Sequence, residues 1–177
     1  FHLTRPSINK SSKFNLRTLK NNFCLPIQKK STLLNREKFF FLNKSGALSE
    51  IGWNDSSNKF SKLWRYNQHY FDDLNALGAS KRKGWHKYLI TSWINENSTG
   101  NGIGWEPYTS SLRIVNWIKW SLSGNSMKSH WAQSLEIQAK FLSKNIENHL
   151  LGNHIFANAK ALIFAGLFLD GKESNSW

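Results

Sequence analysis

The stretch HLLGNHIFANAKALIFAG, His149 to Gly166, brings one apolar run to a close on a glycine and opens another. Before it, Trp131, Leu135, Gln138, Leu142, Ile146 and Leu150 recur at helical spacing, which predicts a long helix from about Met127 to Leu151 with Gly152 as its C-cap. After it, Ile155, Phe156, Ala159, Leu162, Ile163, Gly166 and Leu167 predict the buried side of a second helix, from about His154 to Leu169. Two helices joined by so short a turn pack as antiparallel neighbours, so this stretch argues for an all-α array.

The same periodicity extends towards the N-terminus. Leu63, Tyr66, Tyr70, Leu74 and Leu77 predict a helix that Gly78 closes, and Trp85, Tyr88, Leu89 and Trp93 predict another. The loop NENSTGNGIG is too rich in glycine and asparagine to stay helical, and a further helix starts after Pro107 with Thr109 or Ser110 as N-cap. Ahead of these, KFFFLNKSGALSEIGWND (Lys38–Asp55) reads as two short extended segments about a Lys-Ser-Gly turn. Residues 1–38 read as a basic, loosely ordered arm or linker, and residues 39–177 as the helical body.

The net charge is +13, with ten Lys/Arg against Glu37 and Glu50 in the first fifty residues. Such a balance favours a polyanionic partner: nucleic acid, an acidic polysaccharide or an anionic membrane surface. Nine tryptophans exceed what a core of this size requires, and the excess points to a ligand-facing surface. The lone Cys24 excludes an internal disulfide framework and reads as a small hydrophobe. No apolar run approaches the roughly 20 residues of a membrane span. Histidine spacing supports no metal site, and no cofactor motif is present. Opening at Phe1 and closing at Trp177 just after an apolar run, the chain reads as a piece of a longer protein.

Three clusters carry candidate chemistry. In LWRYNQHYFDDL, His69 and Tyr70 crowd with other polar and aromatic groups, either as a ligand surface or as an amphipathic helix with a satisfied histidine. In GWEPYTSSLRIVNWIKW, Trp105, Glu106 and Tyr108 stand at a helix mouth while Arg113 and Trp117 lie one turn apart. A guanidinium beside indoles suits an acidic sugar; the alternative makes Trp117 core and Arg113 the internal ion-pair partner of Glu106. In the opening stretch, Asn153 and His154 add an amide and a ring donor to a helix N-terminus, where free N–H groups and partial positive charge favour a carboxylate. Asn153 as a simple N-cap is the alternative there.

Taken together, LWRYNQHYFDDL, WEPYTSSLRIVNWIKW and HLLGNHIFANAKALIFAGLFLDG resemble the N-terminal helical domain of the heparinase II/III family, bacterial polysaccharide lyases of heparin-sulfate and alginate type. The resemblance spans roughly Phe39 to Trp177. It implies an incomplete (α/α) toroid of antiparallel helical hairpins, β-elimination of a uronic-acid polysaccharide, and a periplasmic or extracellular location. It also implies that Asn153 and His154 neutralise the substrate carboxylate, while Arg113, Trp105, Glu106, His69 and Tyr70 bind substrate. The proton-transfer residues and a β-sandwich domain are expected downstream of this segment. A helical domain that holds acidic glycans without cleaving them is the alternative. Neither nucleic acid, for which no recognition motif is visible, nor a cofactor is expected.

Overall fold

The computed structural model describes residues 15–18, 28–54, 57, 59–150 and 152–177 of the chain. Strand β1 (Asn15–Leu16) is followed by a hairpin of β2 (Lys38–Phe41) and β3 (Lys44–Ala47), in antiparallel register Phe39↔Gly46. Its turn is Leu42-Asn43, with φ of 51° and 59°. Two successive left-handed residues are what a tight two-residue hairpin turn needs, so the expected Lys-Ser-Gly turn lies instead inside β3. Phe39 and Phe41 alternate inward, and Trp64 packs face to face on Phe60 at 4.0 Å. A Cβ on Gly46 would come within 2.8 Å of the Phe60 ring and 3.0 Å of Trp64, which is why the strand carries glycine there.

Helix α1 (Leu48–Ile51) leads to α2 (Lys62–Tyr70), α3 (Lys83–Glu96), α4 (Pro107–Leu122), α5 (Ser129–Lys144) and α6 (Asn153–Phe168), so the described chain is all-α in character. None of its helices is long and apolar enough to cross a membrane. Pro107 occupies the first position of α4, with Glu106 at the N-cap, because proline's fixed φ fits there and its missing N–H costs nothing; Thr109 and Ser110 are interior. Helix α4 packs against α2, α5 and α6. Strand β4 (Leu169–Asp170) pairs with β1, and the Arg17 amide donates to Phe168 O at 3.0 Å.

Two helices end earlier than the periodicity predicts. Helix α2 stops where Phe71 turns left-handed (φ 60°, ψ 33°), and a 3-10 turn over Asp72–Asn75 follows. Two contacts offset that backbone cost. Phe71 stacks on Trp53 at 5.7 Å, and Asn116 Nδ2 of α4 donates to the freed Tyr70 carbonyl at 2.9 Å. Helix α5 stops at Lys144, where Asn145 Nδ2 donates back to Phe141 O at 2.7 Å. Gly152 therefore caps the start of α6 rather than the end of α5, and Asn153 is the first helical residue rather than the cap.

Seven of the nine tryptophans, among them Trp93, Trp117 and Trp131, are buried, so the indoles build the core instead of serving a surface. The buried stripe of α6 is also rotated from expectation. Ala157, Asn158, Ala161, Leu162 and Ala165 face inward, while Phe156, Ile163 and Leu167 are 71%, 54% and 63% exposed. Small residues at i, i+4 and i+8 let α6 lie close to α4.

The segment 28–38 is docked rather than loose. The Asp73 carboxylate accepts hydrogen bonds from Ser31 Oγ, Thr32 N and Leu33 N on one oxygen, and from Arg82 Nε and His86 Nε2, each at 2.8 Å, on the other. Burial opposes that charge, yet the bonds from His86, Arg82, Ser31 and Thr32 hold the carboxyl well below its usual range. The remainder of the expected arm, residues 1–14 and 19–27 with Cys24, lies outside the described residues.

Candidate functional site

The seven residues singled out by sequence separate into interior and surface groups. His69, Trp105 and Arg113 are interior, at 0%, 2% and 0% exposure. His69 Nδ1 accepts from Trp93 Nε1 at 2.9 Å, and its Nε2–H donates to Trp53 O at the same distance. With both ring nitrogens engaged and water excluded, burial first and the nearby Arg113 second lower its pKa to about 3, so the ring is neutral.

Arg113 lies with its guanidinium 3.8 Å over the Trp93 ring and donates to Gln138 Oε1 at 2.8 Å, Gly104 O at 2.6 Å and Ser110 Oγ at 3.3 Å. Burial pushes its pKa down, but neutral acceptors and an aromatic face take the place of water around the cation. Trp105 Nε1 donates to Asn97 O at 3.3 Å, so all three side chains are satisfied by interior partners and do not line a substrate cleft. The alternative pairing of Arg113 with Glu106 is also absent: Glu106 accepts from Tyr66 Oη and meets Lys62 Nζ at 3.2 Å.

The buried Tyr70 and the exposed Asn153 both line an open pocket of about 450 Å³ between α2, α4 and the start of α6. Three amines, Lys29, Lys119 and Lys160, share that wall with the carboxylate of Asp72, which Lys29 meets at 3.7 Å. Burial first, and then the neighbouring Lys160, push the Lys119 amine down from its ordinary value. Burial first, and then Tyr108, push the Tyr70 phenol up, so it stays neutral. Phe156, largely exposed, supplies an apolar ring at the rim.

His154 stands beside this pocket, its ring centroid 4.6 Å from that of Tyr108, which is on the wall. Its Nδ1 meets Glu147 Oε2 at 3.1 Å. Glu147 is held in turn: its amide donates to Asn158 Oδ1 at 2.9 Å, and the buried Asn158 donates to Ser111 Oγ at 3.0 Å. Lys119, Lys160 and Glu147 are contributions that sequence reasoning missed, whereas the sequence reads Tyr108 only as part of the helix mouth. The spacing of Asn116 and Lys119 on α4 was a usable signal, whereas Lys29 and Lys160 join them only through the fold.

The arrangement is suited to an anion rich in hydroxyls: amines for its charge, tyrosine and amide groups for its oxygens, a ring for its apolar face. Among the described residues, no group of three or more His, Cys, Asp or Glu side chains is placed to hold a metal ion. Set against protein-family models, curated proteins and solved structures, the chain gives no match.

Proposed function

We propose that this chain is the N-terminal part of a polysaccharide lyase, an incomplete (α/α) toroid of antiparallel helical hairpins acting outside the cytoplasm on a uronic-acid polymer of heparan sulfate or alginate type. One observation carries the reading: Asn153, at the start of α6, shares a pocket with Lys119 and Lys160. A uronate carboxylate seated there meets an amide donor, two amines and the positive end of a helix.

In the β-elimination that follows, the carboxylate is neutralised by Asn153 and His154, which acidifies the C5 proton. Removal of that proton forms the C4–C5 double bond, and the 4-O-linked sugar leaves with a proton from an acid. The base and acid come from residues outside this chain, so the fragment alone is inactive. Donors that meet charge only as it develops lower the barrier most.

The resemblance of the three motifs also supports a second reading, in which the pocket holds acidic glycan without cleaving it. Titration of the chain against heparan sulfate, alginate and single-stranded DNA at one ionic strength tests what both readings share. A glycan preference that Lys119→Ala removes supports them; equal or tighter binding to DNA overturns both. Release of unsaturated uronate, read by ultraviolet absorbance from a longer protein containing this chain, decides between them.

A further inference from the structure

A second open pocket, of about 310 Å³, lies farther along α4 between Trp120 and Ser123 on one side and Asn75, Ser80 and Lys83 on the other. The two pockets share three structural walls. Along α4, Leu112, Asn116 and Lys119 line the first and Ser123 the second. These positions follow at i, i+4, i+7 and i+11, one stripe of a helix, spanning about 16 Å at 1.5 Å per residue. The turn after α2 supplies Asp72 to the first pocket and Asn75 to the second, with Asn75 Nδ2 donating to Asn116 O at 3.0 Å on the ridge between them. The outer wall is also continuous: Lys29 faces the first pocket and Gln28 the second, and the Leu77 amide fixes this segment by donating to Lys29 O at 2.8 Å.

We infer that the two pockets are successive subsites of one groove along α4, so that an acidic polysaccharide seated by its uronate beside Asn153 continues past Asn116 and places a further anionic sugar against Lys83. The inference rests on the glycan reading of the first pocket and extends it to the second. The chemistry of the second pocket fits that occupant. Among the described residues it offers the amine of Lys83, the serine hydroxyls of Ser80 and Ser123, and the carboxamides of Asn75 and Asn125, with no carboxylate to repel an anion. Asn125 spends its Nδ2 on Trp120 O at 2.8 Å, which fixes the amide and leaves Oδ1 to accept from a sugar hydroxyl. A single metabolite needs one such pocket; two in line along one helix stripe fit a polymer.

The test is a length series of heparan sulfate and alginate oligosaccharides, from disaccharide to hexasaccharide, titrated calorimetrically into the chain and three variants. Lys83→Ala and Ser123→Trp alter only the second pocket, and the exposed position of Ser123 at the end of α4 tolerates the larger ring. Lys119→Ala alters the first. The expected result is that both second-pocket variants weaken the hexasaccharide by roughly tenfold, the factor that one lost charge-assisted contact gives, and leave the disaccharide unchanged. Lys119→Ala is expected to weaken every length. If the second-pocket variants bind the hexasaccharide as the parent does while Lys119→Ala still weakens it, the second subsite is overturned and the first pocket stands. If no length binds the parent chain, both are overturned.

Discussion

The imidazole of His154 meets the carboxylate of Glu147 through Nδ1 at 3.1 Å, across the turn that separates α5 from α6. That contact leaves Nε2 as the ring atom available to a ligand and links its direction to Asn158 and Ser111 in the interior. With the His154 ring partly exposed, the value of this contact lies in orientation rather than stability.

If Glu147 acts on ligand binding through His154, the two substitutions are not additive. Glu147→Ala and His154→Ala should each weaken uronate oligosaccharide binding, and the double variant should be no weaker than the worse single. A coupling of about 0.5–3 kcal/mol is the range for residues in contact. Calorimetric titration of the four proteins measures it, and simple addition of the two losses would rule out the orienting role.

Asn153 is the group placed to meet charge as it develops. In a longer protein that contains this chain and turns over uronate polymer, Asn153→Ala should lower kcat by about 10²- to 10³-fold, the usual loss for one preorganised donor. Because Asn153 is exposed, folding should be unaffected, as circular dichroism would report. Near-normal turnover in the folded variant would remove Asn153 from the reaction.

His69 gives the fold a pH dependence whose sign is fixed. Its folded pKa of about 3 lies below the ordinary 6.5, so as pH falls the unfolded chain takes up the proton first. The stability it contributes is complete above pH 6.5 and is lost as pH falls from there to about 3, at up to about 1.4 kcal/mol per pH unit. His69→Gln should lower stability at neutral pH and flatten the decline between pH 6.5 and 4, measured by urea unfolding followed through tryptophan fluorescence. Parallel declines in the two proteins would contradict this.

Asp73 ties segment 28–38 to the helices and adds to the same acid sensitivity. Its pKa is held below the ordinary 3.8, so the stability it contributes is present above that pH and lost as pH falls below it. Asp73→Ala, which removes both acceptor oxygens, should cost about 3–5 kcal/mol, the range for removing one partner of a buried ionic network. The same change should expose the Thr32 and Leu33 amides to hydrogen exchange, since both donate to Asp73 Oδ1. Unchanged protection at those two amides would show that the segment is held by other contacts.

The helices themselves were legible, because a 3.6-residue apolar period needs only the order of residues to be seen. Helix α3 falls where Leu89 and Trp93 predict it, and α4 follows the Gly- and Asn-rich loop as expected, though it begins at Pro107 itself. Their limits were less legible. Phe71 ends α2 because Trp53 stacks on it and Asn116 captures the Tyr70 carbonyl, and both partners are remote in sequence. The face of α6 was misread for a related reason. Large apolar residues were assigned inward, whereas close approach to α4 selects Ala157, Ala161 and Ala165 and leaves Phe156 and Ile163 outside.

For the candidate site, residue type alone does not reveal whether a polar group's bonds are closed within the protein. His69 and Arg113 have the chemistry of ligand-binding groups, but Trp93, Gln138 and Gly104 satisfy them in the interior. Sequence by itself determined the all-α character, the helical position of Tyr70, a helix start beside Asn153 and the excess of positive charge, since each follows from local order or composition. Tertiary structure alone decided that Lys29, Lys119 and Lys160 share one pocket with Asn153, because they come from three separate segments whose approach depends on the packing of α4 against α6 and on the docking of segment 28–29.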